Sequence, residues 1–266
     1  MTHQAKDKMM DQSNNIYLDT FTTFELEALL NSKETVVILL PVGSVEPHGP
    51  HLTLATDTQI SKSAAKTAIS KLAAQGITAL IAPSVPYGVT NCAAQFKGAV
   101  TVDPDALTAF LSSIMQGFRS NGFAHCCAIN NHLEPEQDQA VRSAVKLQPE
   151  GFASIASPLT RRWARTLTDE YKKGECHAGQ YETSIILAGA SDSVRQNLLS
   201  KLNPVAVSLS EQINKGVTDF LEMGMEQAYA GSPAGASIEE GLDTLDKLAD
   251  MISIEVTESL SKAKSE

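Results

Sequence analysis

An α/β fold, with a mostly parallel central sheet flanked by helices in one layered domain, is predicted by two features of this sequence. Short, strand-like apolar runs alternate about four times with stretches of helical periodicity, joined by short connections. Polar clusters follow three of these units, and parallel sheets bind ligands just beyond the carboxyl ends of their strands. Of the 266 residues, 42% are apolar, enough for a sizeable core, so a single domain is expected over residues 16–266. Residues 1–15, polar and without an apolar core, read as a disordered leader.

The elements follow in order. FTTFELEALL (residues 21–30) has amphipathic spacing, with Thr23 as its expected cap ahead of Glu25 and Glu27. TVVILLPVG (35–43) is a buried strand stopped by Pro41 and Gly43. Thr58 to Gln75 is alanine-rich and helical, with Gly76 as its stop. ITALIAPSVPYG begins as a second strand. The next helix has Asp103 as cap, Pro104 in its first turn and Gly122 at its end. AHCCAINN is a third strand, PEQDQAVRSAVKLQ a helix and GFASIASP a fourth strand. RRWARTLTDEYKKG reads as one basic helical stretch, and GECHAGQYETSIILAGA leads a polar cluster into an apolar helix. Helix is then expected from Ser208 to about Tyr229, and again from Ile238 to the end.

Charge and cysteine usage exclude several classes. The formal net charge is −10 and the isoelectric point about 5.1. Such a surface repels phosphate backbones and anionic lipid, which argues against nucleic-acid and membrane partners. No apolar run approaches the ~20 residues of a membrane span, and the first residues lack the apolar core of a secretory signal. Cys92, Cys126, Cys127 and Cys176 form no CxxC pair, which fits reduced thiols in a cytoplasmic protein. The neighbours Cys126 and Cys127 are expected on opposite faces of their strand.

The densest chemistry lies in PVGSVEPHGPHLTLATD (41–57), which places Glu46, His48, His51 and Asp57 in one loop after the first strand. A lone histidine or aspartate in a loop is usually only hydrogen-bonded or solvated. Here His132 and Glu134 follow another strand, and His177 and Glu182 open a helix further on. So many acidic and imidazole groups gathered at strand exits repel or stay unsatisfied unless a cation joins them. Two divalent ions sharing a carboxylate are the economical solution.

The first of these segments closely resembles the creatininase (creatinine amidohydrolase) signature GS-x-E-x-HG-x-HLP-x-x-x-D. HAGQYETS is similar to the family's HAG-x-x-ETS, and GSPAGASIEEG to its later G-x-P-x-x-A-x-x-x-x-G. The resemblance spans about residues 18–255 and implies a creatininase-like fold with a binuclear centre. It assigns Glu46 and His132 to one metal, His48 to the other, and Asp57 to both as a bridge. Glu134, in the same His-x-Glu pattern as creatininase, becomes a further ligand or a proton relay. Glu182 and His177 face the substrate as catalytic groups, and Glu182 is an alternative extra ligand. A small-molecule substrate and a homo-oligomer, often a hexamer, are also implied.

There are departures. Relatives usually read GHGGN where this chain has NNHLEP, and carry a histidine where this chain has NCAAQFKGAV with Ala99. Thr53 replaces the proline of HLP. These changes are expected to keep the metals and reshape the pocket.

Mixed nitrogen and oxygen ligands suit zinc or manganese, with iron as a further option. Water held between two such ions becomes hydroxide near neutral pH. The expected reaction is hydrolysis of a non-peptide C–N bond in a small cyclic amide, with His177 stabilising the oxyanion. The alternatives are a formamide or cyclic ketone substrate on the same fold, a non-catalytic metal-binding relative, and a thiol hydrolase using Cys176 beside His177. Trp163 is expected either to close over a flat substrate or to pack on a helix face flanked by solvated Arg161, Arg162 and Arg165. Tyr87 and Phe96 are expected near the pocket mouth.

Overall fold

A computed structural model describes residues 15–263, so the expected leader falls almost wholly outside the described residues. Four parallel strands form the sheet: β1 (Thr35–Val42), β2 (Ile77–Ile81), β3 (His125–Asn130) and β4 (Ala153–Ala156), in the order β2-β1-β3-β4. In β1 seven successive residues are buried, as expected of a strand covered on both faces.

Alternate residues of each strand feed different cores. Val37 and Leu39 join a cluster with α2 (Thr56–Ala73), α7 (Gln180–Gly189) and the long α10 (Ile238–Ala263). Val36, Ile38 and Leu40 join the opposite cluster with α1 (Thr23–Leu30), α3 (Pro104–Ser120) and α4 (Pro135–Lys146). Each such fully buried aliphatic side chain contributes about 1.5–3 kcal/mol. Cys127 faces the first cluster and Cys126 the second, as the strand period requires. All four cysteines are free and buried.

Local chemistry sets the helix ends. Thr22, not Thr23, caps α1, because Glu25 three residues on returns a bond to the Thr22 amide and closes a capping box. Asp103 caps α3 through the Asp105 and Ala106 amides. The basic stretch is not one helix. It divides into α5 (Arg161–Ala164) and α6 (Asp169–Lys173), because Thr168 turns its hydroxyl to the Tyr171 amide and starts a new helix. The helix expected over 208–229 is also short. After the four-residue α8 (Gln196–Leu199), α9 covers only Leu209–Asn214. Beyond it Gly216 and Gly224 take positive φ, and Asp219 accepts bonds from the Leu221 and Glu222 amides in a turn. This irregular segment packs Phe220, Met223 and Met225 with Cys92 and Ala93 in a third apolar cluster. Among the described residues, no helix is long and apolar enough to cross a membrane.

Candidate metal centre

Parallel pairing sends every strand out of the sheet on the same side, and the polar segments meet there. Glu46 and His48 lie on the loop after β1, and Asp57 on the first turn of α2. His132 and Glu134 follow β3, and His177 and Glu182 sit at the entry to α7. All seven side chains are buried. Gly43 permits the approach of α2 to the end of β1: a Cβ there would lie 2.6 Å from the Asp57 Cβ. The Ser44 amide then donates to Asp57 Oδ2 at 3.1 Å.

Asp57 stands between two imidazoles. Its Oδ1 is 3.1 Å from His48 Nε2 and its Oδ2 is 3.0 Å from His132 Nδ1. Glu46 Oε2 lies 2.9 Å from the same His132 Nδ1, and Glu182 Oε2 lies 3.5 Å from His48 Nε2. The far edges of the rings are tied to backbone carbonyls. His132 Nε2 donates to Val89 O at 2.6 Å, His48 Nδ1 to Glu46 O at 3.0 Å and His177 Nε2 to Pro47 O at 3.0 Å. A carbonyl only accepts, so each tether keeps a proton on the outer nitrogen and turns the inner one to the site, where it can hold a proton or a metal.

Some of these facing atoms approach charged partners without completing a hydrogen bond. Glu46 Oε2, His48 Nε2 and Asp57 Oδ1 are fully enclosed without a hydrogen bond. Buried polar atoms are seldom left so, and here they face one another across short gaps. Donor atoms of His48, Asp57 and Glu182 lie mutually within 4.8 Å, as do those of Glu46, His132 and Glu134 and those of Glu46, His48 and His177. Nitrogen and carboxylate donors in this arrangement fit divalent cations.

Electrostatics say the same. Burial opposes charge on His48, yet Asp57, Glu182 and Glu46 lift its pKa to about 10. Burial likewise opposes charge on His132, but Glu46 and Asp57 hold it well above the ordinary range. Asp57 is held low against its burial by His132 and His48, while burial pushes Glu182 up to about 8. The pocket draws positive charge, which bound cations supply in place of protons. His177 differs. Burial and the nearby His48 bring it down to about 4, so it is neutral at pH 7.

Glu134 reaches the site differently from the other acids. Its two oxygens accept the Asn91 and Cys92 amides at 2.9 and 3.2 Å, and it stands 4.0 Å from the outer nitrogen of His132. The two unusual segments of the sequence are therefore joined: NNHLEP holds the start of NCAAQF. Gln137 adds a bond to the Val89 amide. His51 is not among the facing donors; its Nε2 meets Thr183 Oγ1 at 2.9 Å and ties the first loop to α7.

Several contributors have no side-chain signal in the sequence. The carbonyls of Glu46, Pro47 and Val89 orient the three histidines. Ala178, with φ of +49°, aims its amide at Glu182 Oε2, 2.7 Å away. Glu170 accepts the Tyr181 and Ser232 amides. Its carboxylate occupies space that side chains at Gly179 and Gly231 would fill, which accounts for glycine in both HAG and GSP. Phe220, expected in a helix, stacks on His177 at 4.5 Å and lines the cavity.

Tyr87 and Phe96 do not line this cavity. Trp163 is buried and donates Nε1–H to Glu255 at 2.7 Å, so it packs on α10 instead of closing over a ligand. The cysteine alternative fails on chemistry. Burial pushes the Cys176 thiol far up, and His177 points its proton at Pro47.

The site cavity measures about 30 Å³, room for a pair of water-sized occupants. Through Leu133, Cys176, Leu209 and Ile213 it adjoins a groove of about 700 Å³.

Comparison with known proteins finds consistent relatives. The profile of the creatininase family (creatinine amidohydrolase) matches residues 19–255. The mycofactocin precursor peptide peptidase of Mycolicibacterium smegmatis is 30% identical over 227 residues, covering 84% of this chain and 83% of the relative. The 3-dehydro-scyllo-inosose hydrolase of Thermotoga maritima is 28% identical over 180 residues, 67% of this chain and 54% of the relative. The crystal structure of a creatinine amidohydrolase superposes with a TM-score of 0.74 at 20% identity, over 92% of this chain and 98% of that one.

Proposed function

This chain belongs to the creatininase family, and from that premise we propose that it is a metal-dependent hydrolase cleaving a C–N bond with two divalent ions. The observation that carries this reading is the set of enclosed, unbonded atoms on Glu46, His48 and Asp57. Glu46 and His132 would hold one ion and His48 and Glu182 the other, with Asp57 shared between the two sets. Zinc or manganese suits these donors, with iron as a further option. When bound, the ions supply Lewis acidity, polarising a carbonyl and lowering the pKa of water.

The protein groups do the rest. Glu182 serves as a ligand in this assignment, because its Oε2 lies 3.5 Å from His48 Nε2. Glu134 positions the 89–92 loop and the outer edge of His132, and burial raises its pKa. We give it the role of proton carrier toward a departing nitrogen. His177, with its proton committed to Pro47, offers a lone pair to the cavity. It accepts a proton from the attacking water and cannot donate to an oxyanion in this tautomer. Phe220 and the third apolar cluster exclude bulk water beside it.

A small cyclic amide remains the leading substrate class, after the family's creatinine chemistry. A peptide C–N bond is the second reading, favoured by the 30% identity to a precursor-peptide peptidase. Turnover of lactams, hydantoins, creatinine, formamides and short peptides by metal-assayed protein separates these classes. Full activity after exhaustive chelation would sink the metal mechanism. A homo-oligomer, by family resemblance, is checked by light scattering.

A further inference from the structure

The groove beside the metal centre is chemically one-sided. The chain carries a net charge of −10, yet no carboxylate lines this groove, while Arg161, Arg165 and Lys172 do. Lys172 is paired with Asp169 at 3.3 Å. Arg161 and Arg165 make no ion pair among the described residues, in contrast to their neighbour Arg162, which binds Glu258 at 2.9 Å on the α10 side. Their spacing of four places both on one face of the α5 turn. Trp163 anchors that turn to α10, and both arginines line the groove. Leu133, Leu159, Tyr171 and Ile213 give the same groove an apolar wall.

We propose that Arg161 and Arg165 select a substrate bearing a carboxylate, whose apolar body fills the groove while its scissile carbonyl enters the metal cavity. The cavity of about 30 Å³ is too small for a whole substrate, and the adjoining groove of about 700 Å³ is the size of a small-ligand or dipeptide site. Guanidinium forks match carboxylates in charge and geometry. This deepens the hydrolase reading and rests on it: Glu46, Asp57 and Glu182 repel an anion until cations offset their charge. Trp163 and the arginines thus act as specificity elements, with Trp163 a positioning residue.

The test uses N-formyl-L-leucine and N-formyl-L-leucinamide, which differ in one group, an anionic carboxylate against a neutral carboxamide. Their Kd values are measured by calorimetry on the full-length, metal-loaded protein. The acid is expected to bind about tenfold tighter, with the preference shrinking as salt rises. In R161Q/R165Q the preference disappears, while the Kd of the leucinamide and the metal content stay as in the wild type. R162Q, altered outside the groove, keeps the preference. No preference in the wild type, including binding of neither probe, overturns the proposal. So does a preference that survives R161Q/R165Q, which would put the carboxylate on the metals. Failure of the hydrolase reading is separable: it appears as absent metal or absent turnover whatever the arginines do.

Discussion

Strand β3 has a buried histidine at its start and another just past its end, and the two are opposites. His125 is wholly enclosed, with Nδ1 on Gly151 O at 2.9 Å and Nε2 on Ser154 Oγ at 2.8 Å. Burial brings its pKa down to about 4. His132, nearly as buried, is held well above the ordinary range because Glu46 and Asp57 face its inner nitrogen. Burial is common to both, so the neighbours decide. One end of the sheet is closed by neutral hydrogen bonds, and the other collects negative charge that calls for a cation.

The largest expected effect breaks the charged end. Asp57→Asn removes the proposed bridge, and kcat is expected to fall by roughly 10³-fold or more, with loss of both metals by elemental analysis. Retention of two metals and near-normal turnover would refute the bridging role. Next, Glu182→Gln is expected to lower metal content to about one ion per chain and activity by roughly 10²-fold, whereas Glu134→Gln keeps both ions and lowers kcat alone. The reverse pattern would exchange the two glutamates' roles.

The neutral end gives a pH prediction. The unfolded chain protonates His125 near pH 6.5, but the folded chain only near 4, so the unfolded state binds more protons between them. The stability from neutral burial is full above pH 6.5 and is lost as pH falls toward 4, by about 3 kcal/mol. Urea midpoints across that window should slope less steeply for His125→Asn; an unchanged slope would show that another group dominates. The smallest effect is Ser154→Ala, which strips one partner from His125 and is expected to cost about 1 kcal/mol with metal content untouched.

Much of this contrast was legible in the chain. The strand–helix alternation, the α3 cap at Asp103 and the donors Glu46, His48, Asp57, His132 and Glu182 are local patterns, and local sterics and hydrogen bonding are written in order along a sequence. The errors were local too. Thr168 and Asp219 each offer an oxygen to backbone amides, which outweighs helical periodicity and breaks the helices expected there. The Thr22 cap was readable from Glu25 three residues on.

By itself, then, the sequence determined the layered parallel fold and the kinds of atom available for metal chemistry, because strand and helix periods and residue identities are properties of near neighbours. Only the tertiary structure decided which nitrogen of each histidine faces inward, since that depends on carbonyls such as Val89 O, 43 residues from His132. It also decided that Glu134 is held by the 91–92 amides while Glu182 reaches His48, and that Arg161 and Arg165 overlook a groove. Distances between remote segments follow from packing the whole sheet, and no short stretch of chain contains them.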